Sequence, residues 1–499
     1  MKIATVALLA GTAMGLASLT VWALTPAASY RAEGESVETP VPAPQERDRA
    51  LEATDRRAPA ESWKFSSGST LRVEGRLGHS TLPSGRDSES YVFVDVRAEA
   101  AGVATTPAPL NLAIVVDRSG SMRGKRLDNA IAAAKGTLRR LRDGDVVSVV
   151  SFDSRVTEVV PPTPVDESSR ERLVARMDSI VPGGETCISC GLESAMSLLR
   201  GRGDRVHRVL LLSDGDATEG VRDVPGLRAL AGRMRDMGAT VTTVGVDVEY
   251  NERIMSAIAL ESNGRHHFVA NAADLPRVFD TELQSLVRTV AKDAELRVTL
   301  APGVELLQVF DRTFRREGND LVVPLGTFTA AEDKTLLVRV RVPRGIEGER
   351  AVASVRLGFD DLVSRGRGSC EGELGTLLTS DPGRVSSLDS VVAGRLGRST
   401  TADSLNSANG LWNRGQLADA RRELERARGE LVAQRSAATA AAPGELKAQV
   451  AEDFDKQLAA LDDAAQGFAP ATPGAPAPAA TAAPAQVRSN ASRAVDLAF

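Results

Sequence analysis

The chain has 499 residues, enough for more than one domain, and its apolar and charged fractions are those of an ordinary soluble globular protein. A net charge of −5 favours neither nucleic acid nor an anionic membrane surface as a partner through bulk electrostatics. Aromatic residues make up only 4% of the chain, which argues against stacking platforms for bases or sugars.

An export signal is indicated by the N-terminal sequence MKIATVALLAGTAMGLASLTVWAL, in which one early lysine precedes a long apolar stretch. Small residues near Ala23 and Ala27 fit a cleavage site. The stretch is longer than a usual signal core, so a single retained membrane anchor stays open as an alternative. We expect residues 1–28 to be a signal peptide or anchor and the Pro-rich residues 29–65 to be a disordered linker. The protein is then exported, and periplasmic, cell-surface or membrane-anchored.

The next segments change from alternating to continuous apolar patterns. Residues 66–106 hold two alternating strand patterns joined by a polar loop. Residues 108–290 alternate helical patterns with apolar runs, which predict strands at 110–116, 145–152, 206–213, 239–246 and 266–270. Runs without alternation suit strands that are buried on both faces. This predicts an α/β domain with a doubly wound, mostly parallel, Rossmann-like sheet.

Beyond that domain the pattern returns to alternating strands and then to helices. Residues 291–380 predict an antiparallel β-sandwich, which we expect the strands of 66–106 to join. The α/β domain is then inserted in the sandwich or flanked by it. Residues 384–465 predict a C-terminal helical hairpin region, which needs neighbours to bury its apolar face. The Ala/Pro-rich residues 466–499 predict a disordered tail.

Oxygen-bearing side chains lie directly after two of the predicted parallel strands, and another lies in a loop between those strands. They are Asp117, Ser119 and Ser121 in LAIVVDRSGSM, Thr186 in PGGET, and Asp214 in VLLLSDGDA. An open α/β sheet gathers such strand ends into one crevice. Carboxylates and hydroxyls without a nearby imidazole make a hard, all-oxygen site, which suits Mg²⁺, or Mn²⁺ or Ca²⁺, better than Zn²⁺.

This order and spacing of motifs resembles the von Willebrand factor type A domain and its metal-ion-dependent adhesion site. Within that family, the chain resembles the group of bacterial calcium-activated-chloride-channel-like and inter-alpha-trypsin-inhibitor-heavy-chain-like proteins. The resemblance implies that Ser119, Ser121 and Thr186 bind Mg²⁺ directly, and that Asp117 and Asp214 bind it directly or through water. It also implies a protein partner that offers an Asp or Glu carboxylate to the open position of the ion.

Basic residues and cysteines lie beside these motifs. Arg118, Arg123 and Lys125 predict a ligand-facing rim that favours an acidic partner, although the bland alternative is a solvated start to the first helix.

Cys187 directly follows Thr186 and forms a C-x-x-C with Cys190. Our hypothesis is that a Cys187–Cys190 disulfide stiffens the Thr186 loop. Two alternatives stay open: the disulfide only stabilises the local fold, or one of these cysteines pairs with Cys370. A zinc site would need two further ligands, for which composition offers only His266 and His267.

Enzyme functions are disfavoured by what the sequence lacks. The four histidines are not placed as bases of a catalytic triad, and no P-loop, dinucleotide fingerprint or H-E-x-x-H motif occurs. We therefore predict a non-enzymatic, exported protein that binds a partner through its metal site. The alternative is an envelope scaffold in which the metal site only stabilises loops, and a metal-dependent hydrolase is a third class.

Overall fold

The computed structural model describes residues 65–99, 108–214, 216–246, 251–269, 271–468 and 482–498. The predicted signal or anchor at 1–28, and the predicted linker at 29–65 except its last residue, lie outside these ranges. Within them, none of the helices is both long and apolar enough to cross a bilayer.

The strands are β1 (Phe65–Ser67), β2 (Leu71–Leu77), β3 (Thr81–Pro83), β4 (Ser88–Ala98), β5 (Leu110–Asp117), β6 (Val146–Phe152), β7 (Val156–Pro164), β8 (Val206–Ser213), β9 (Ala239–Val246), β10 (His266–Val269), β11 (Thr289–Leu300), β12 (Glu305–Phe310), β13 (Arg315–Glu317), β14 (Asp320–Thr329), β15 (Asp333–Val342), β16 (Gly348–Asp361) and β17 (Gly366–Thr379). The α-helices are α1 (Lys125–Arg140), α2 (Arg170–Arg176), α3 (Ile188–Leu199), α4 (Val224–Asp236), α5 (Glu252–Glu261), α6 (Leu275–Val287), α7 (Ser390–Asn413), α8 (Leu417–Ala441), α9 (Lys447–Gly467) and α10 (Ala482–Ala498).

The central α/β layer is one sheet in the order β10-β9-β8-β5-β6-β7. All neighbouring pairs are parallel except β6 and β7, which confirms the predicted doubly wound, mostly parallel sheet. Every residue of β5 is buried. Its side chains alternate between two cores, one packed by α1, α2 and α6 and the other by α3, α4 and α5. The continuous apolar run of β5 is explained by this burial on both faces.

The edge strand β7 was not predicted. Its sequence VTEVVPPTP carries three prolines, and proline within a run argues against a central strand. The structure places β7 at the sheet edge, paired with β6 alone. Proline is tolerated there because the missing amide hydrogens need no partner strand.

The predicted sandwich consists of two sheets, β1-β2-β4-β15-β12 and β13-β14-β11-β16-β17-β3. Their inner faces form one core, in which residues such as Val94 and Val338 pack with Leu296 and Leu357 of the other sheet. The chain leaves the first sheet after β4, forms the α/β layer, and enters the second sheet at β11. The α/β layer is therefore inserted in the sandwich.

Strand β17 was also missed, because its sequence GRGSCEGELGTLLT is rich in glycine, which strands disfavour. Two of these glycines make room for aromatic rings. A Cβ at Gly372 would lie 2.1 Å from the Cγ of Phe65, and one at Gly368 would lie 2.2 Å from the Cζ of Phe359. The aromatic rings thus bury the bare backbone of β17, which offsets its low strand propensity.

The C-terminal region differs from the prediction in its last part. Helices α7, α8 and α9 share an apolar core that includes Leu405, Leu424 and Phe454. The tail predicted as disordered ends in a further helix, α10, which joins the same core through Val487 and Ala494. The Ala/Pro composition hid the helical spacing of these apolar residues; residues 469–481 lie outside the described ranges.

Helix α10 is attached by a buried amide pair as well as by apolar contacts. Asn490 Nδ2 donates to Asn409 Oδ1 at 3.0 Å, and Asn409 Nδ2 donates to the Val487 carbonyl at 2.8 Å. Asn490 is fully buried. Removing one amide leaves the other buried without its partner, which is costly in a low-dielectric core.

We predict that Asn490→Ala destabilises the docking of α10 by about 1–3 kcal/mol. Hydrogen–deuterium exchange should then speed up in residues 482–498 while the core of the α/β sheet stays protected. The control is Ser489→Ala, one residue earlier and only partly buried. Equal exchange in the two variants would contradict the role of the amide pair.

Candidate metal centre

Three aspartates lie at the carboxyl ends of three adjacent strands. Asp117 is the last residue of β5, Asp153 directly follows β6, and Asp214 directly follows β8. Because β8, β5 and β6 are neighbours and run parallel, their carboxyl ends lie at one edge of the sheet. This is the edge where open α/β sheets bind ligands.

Asp117 is completely buried and is held by neutral donors. Its Oδ1 accepts from the Ser119 amide at 2.8 Å, and its Oδ2 accepts from Ser213 Oγ at 2.5 Å. Burial raises the pKa of Asp117 to about 6, although these hydrogen bonds work in the opposite direction. Desolvation of the charged form thus outweighs the neutral donors.

Asp214 is joined to the two predicted serines by a short chain of hydrogen bonds. Ser119 Oγ lies 3.1 Å from Ser121 Oγ, which donates to Asp214 Oδ1 at 2.8 Å. Arg126 Nη1 donates to Asp214 Oδ2 at 3.0 Å and to the Ser121 carbonyl at 2.9 Å. Burial still raises the pKa of Asp214 above its ordinary value, against the hydrogen bond from Ser121 and the charge of Arg126.

The Thr186 loop is tied to the same edge through its backbone. The Gly120 amide donates to the Gly184 carbonyl at 2.9 Å, and the Gly183 amide donates to the Arg118 carbonyl at 2.6 Å. Thr186 itself is buried, and its amide donates to Thr218 Oγ1 at 2.8 Å. The structure therefore brings four of the five predicted oxygen residues together by side-chain or local backbone contacts, and brings in Thr186 through its loop.

Asp153 also lies at this edge and was not among the residues predicted from the sequence. Its Oδ2 accepts from the Gly184 amide at 3.0 Å, and its Oδ1 accepts from Arg118 Nη2 at 3.1 Å and from the Arg155 amide at 2.7 Å. A Cβ at Gly183 would lie 1.7 Å from Asp153 Oδ2, so only glycine fits there. The same strand-end rule that selected Asp117 applies to the Phe-Asp-Ser sequence after β6 and would have found it.

The charge of Asp153 is compensated. Burial alone would raise its pKa, but hydrogen bonds from the Arg155 and Gly184 amides and the charge of Arg118 lower it overall. Asp153 is thus an anchor that holds the loops of Arg118 and Gly184 at fixed positions, since each of its oxygens is already taken.

The predicted basic rim divides into two kinds of residue. Arg118 is committed to Asp153 and to the Val181 carbonyl, at 3.3 Å, and so braces the loops. Arg123 and Lys125 are exposed beside the loop that holds Ser119 and Ser121, here called the serine loop. Arg126, which belongs to the same basic cluster, contacts Asp214 directly.

A disulfide joins Cys187 and Cys190 at the start of α3. The Thr186 carbonyl accepts from the Thr218 amide at 2.9 Å, which links the segment before the disulfide to the loop after Asp214. That loop passes close to the sulfur: a Cβ at Gly220 would lie 2.5 Å from Cys187 Sγ. The disulfide thus lies between the two loops.

The disulfide also decides between the alternatives left open for the cysteines. Cys370 is free and buried in the sandwich, so it pairs with neither. His266 Nδ1 lies 2.9 Å from Thr243 Oγ1, and His267 Nε2 lies 2.9 Å from Glu282 Oε1. With both C-x-x-C sulfurs bonded to each other, the zinc alternative fails.

The donor set fits a hard cation. It contains two buried carboxylates, three hydroxyls and no imidazole, which is the chemistry that Mg²⁺, Mn²⁺ and Ca²⁺ prefer. In the described ranges, including this edge, His, Cys, Asp and Glu alone form no cluster of three or more that could hold a metal, so the candidate site depends on its hydroxyl oxygens. The contact of Arg126 leaves one guanidinium to balance two carboxylates, so a cation would be electrostatically favoured there.

Comparisons with known proteins agree with this architecture. The family model of the von Willebrand factor type A domain matches residues 111–281. The Synechocystis protein sll0103 is 27% identical over 267 residues, which cover 51% of this chain and 63% of that protein. Mouse inter-alpha-trypsin inhibitor heavy chain H2 is 26% identical over 169 residues, 32% of this chain and 18% of that protein. The chain thus aligns with less than two thirds of either relative.

Among solved structures, a von Willebrand factor type A protein from Catenulispora acidiphila has the same fold. It superposes with a TM-score of 0.63 at 20% identity, covering 75% of this chain and 90% of that structure. The match extends well beyond the α/β layer, so the combination of this layer with additional domains is shared.

We predict that Asp153→Asn loosens the metal-centre loops, because the neutral amide loses its ion pair with Arg118 and cannot accept at both oxygens. The expected cost is about 1–3 kcal/mol of unfolding free energy, measured by denaturant titration. Hydrogen exchange should rise in residues 183–187.

The matched control is Asp361→Asn in the sandwich, whose Oδ1 likewise accepts from two backbone amides, at 2.8 and 3.0 Å. It should lower stability without changing exchange in residues 183–187. Faster exchange of that loop in both variants would show a global effect and contradict the specific role of Asp153.

Proposed function

Since this chain is a von Willebrand factor type A protein of the group that includes sll0103 and the inter-alpha-trypsin inhibitor heavy chains, we propose that it binds a protein partner through a divalent cation. Mg²⁺ is the proposed ion, and Mn²⁺ or Ca²⁺ would use the same oxygens. The proposed ligands are Asp117, Ser119, Ser121, Thr186 and Asp214.

The observation that carries this proposal is the uncompensated charge of Asp117. Its carboxylate is fully buried, accepts only from neutral groups and has its pKa raised to about 6. A buried anion without a counter-charge is unstable unless a cation binds or a proton is taken up. Bound at this edge, a divalent cation would supply that charge and offer an open coordination position to an external carboxylate.

The protein's own residues prepare the site for an acidic partner. Ser119 and Ser121 contribute neutral oxygens, so the ion would keep much of its positive charge. Arg123 and Lys125 add exposed positive charge beside the serine loop. Charges of this kind steer an acidic partner surface towards the site and raise the association rate more than the affinity.

A binding role fits the chemistry of this edge better than catalysis. Among the residues described at the edge, none is a histidine, and the aspartates are held by hydrogen bonds to neighbouring loops. Von Willebrand factor type A domains are generally interaction and adhesion modules, in line with this assignment.

We also propose that the chain is exported. The lysine and long apolar stretch within residues 1–28 support a signal or a single anchor, and the Cys187–Cys190 disulfide suits an oxidising compartment. N-terminal sequencing of the mature protein separates a cleaved signal from a retained anchor, and an unprocessed protein in the cytoplasm would refute export.

We predict that Mg²⁺ raises the melting temperature of the purified chain and that EDTA reverses the rise. When the Mg²⁺ concentration is about a hundred times its Kd, the expected gain in unfolding free energy is about 2.7 kcal/mol. The double variant Ser119→Ala/Ser121→Ala should fold and lose this response, because it removes two ligands and leaves both carboxylates. Ser197→Ala, an exposed serine of α3, is the control. A Mg²⁺ response that survives in the double variant would contradict the ligand assignment.

Partner binding provides a separate prediction. A pull-down from native membranes should capture a protein with Mg²⁺ but not with EDTA, and Arg123→Glu/Lys125→Glu should weaken capture while keeping the Mg²⁺ melting response. The control is Arg356→Glu/Arg367→Glu on the exposed sandwich surface, where these side chains are 70% and 81% exposed.

Asp117→Ala separates adhesion from the scaffold alternative. Adhesion predicts lost capture with a nearly unchanged melting temperature in EDTA. A large fall in melting temperature with capture retained would favour the scaffold function instead.

A further inference from the structure

A second polar cavity lies at the end of the α/β sheet opposite the metal centre. It has a volume of about 340 Å³ and is lined by residues that include Arg208 and Glu282 of the α/β layer, Thr327 and Lys334 of the sandwich, and Ser492 of α10. Arg208 lies near the amino end of β8 and Asp214 follows its carboxyl end, so the two sites are about 20 Å apart along the strand. The volume is in the range of small-molecule sites.

Arg208 is the unusual member of this cavity. The residue is only 9% exposed, and its Nη2 donates to Thr327 Oγ1 at 2.6 Å. Its Nε is buried and has no hydrogen-bond partner. Across the described ranges, no carboxylate forms an ion pair with Arg208, although arginine remains protonated in proteins.

Another buried arginine shows how this protein neutralises such a charge. Arg395 is 3% exposed, and its Nη2 pairs with Asp311 Oδ2 at 2.9 Å. Its Nε and Nη1 donate to Thr335 and Ser399, both at 2.7 Å. Arg208 has a comparable degree of burial but lacks the equivalent carboxylate.

The two buried acids of the cavity make their hydrogen bonds elsewhere, and neither accepts a hydrogen bond from Arg208. Glu282 accepts from Thr242 Oγ1 and pairs with His267, both at 2.9 Å. Glu332 accepts from the Thr329 amide at 2.8 Å and from its hydroxyl at 2.9 Å. The cavity therefore contains a desolvated guanidinium that no carboxylate of the described residues contacts directly, although Glu282 and Glu332 favour its charge from a distance.

We propose that this cavity binds a small molecule through a carboxylate that pairs with Arg208. The guanidinium presents donors in a planar arrangement that matches a carboxylate, and the Thr327 hydroxyl lies beside it. The cavity is lined by three cations and four acids, so it accommodates a single added negative charge better than a doubly charged phosphate; these residues are Arg208, Arg265 and Lys334, and Glu282, Glu332, Asp333 and Asp496. The proposal is independent of the metal centre, because no residue is shared.

The test is calorimetric titration of the purified full chain with acetate, L-lactate and pyruvate, and with inorganic phosphate as the competing oxyanion. At least one of the carboxylates should bind with one-to-one stoichiometry, and phosphate should not. Arg208→Gln should lower the affinity about tenfold or more, since it removes a charge-assisted pair. Ser119→Ala/Ser121→Ala should leave carboxylate binding unchanged, which separates this site from the metal centre.

Stability gives a second readout that does not depend on the ligand. Without added anion, Arg208→Gln should melt at the same or a higher temperature than the parent, because it removes an unpaired buried charge. Arg395→Gln is the matched control and should melt at a lower temperature than the parent, because it removes the ion-pair partner of the Asp311 carboxylate. The proposal is overturned if none of the three carboxylates binds, if phosphate binds in their place, or if carboxylate binding persists in Arg208→Gln.

Discussion

The parallel register of β8, β5 and β6 is the constraint on which the candidate metal centre depends, because it places three aspartates at one edge. Each carboxylate is compensated differently. Asp153 has Arg118 and two amides, and its pKa is lowered. Asp214 has Arg126 but stays raised, and Asp117 has only neutral donors and is raised to about 6. This gradient separates an anchor from the proposed ligands: the carboxylate whose charge is satisfied holds the loops, and the two whose charge is less satisfied are the ones proposed to bind the cation.

The sandwich explains why this edge is free to bind. The α/β layer is inserted between β4 and β11, and two hydrogen bonds between described residues join it to the sandwich at the other end of the sheet. Asn263 Nδ2 donates to the Pro324 carbonyl at 2.9 Å, and Arg208 reaches Thr327. The sandwich therefore holds the inserted layer from the end opposite the strand carboxyl ends. Loop movement at the metal centre can then occur without breaking the attachment.

The sequence predicts the parts of this molecule in which burial dictates composition. The parallel strands are continuous apolar runs because both faces are covered, and the D-x-S-x-S, GGET and SDG motifs follow from the strand ends. The missed elements obey other rules. Strand β7 forms despite its prolines because it lies at a sheet edge. Strand β17 forms despite its glycines because Phe65 and Phe359 cover them, and α10 is held by contacts with helices distant in sequence. Such stabilisation is tertiary, and no local pattern contains it.

The two ends of the central sheet carry opposite charges that lack full compensation, and the direction of the helices makes this arrangement tolerable. In a doubly wound layer the helix N-termini gather at the carboxyl edge of the sheet, and their partial positive charge favours the aspartates. The helix C-termini gather at the amino edge; Ser285, in the last turn of α6, lines the cavity of Arg208. The partial negative charge there favours Arg208. Macrodipoles are weak and confined to the last turn, so they reduce each imbalance without removing it. The proposed cation at the aspartates and the proposed carboxylate at Arg208 would each bring an ion of opposite sign to one end of the sheet.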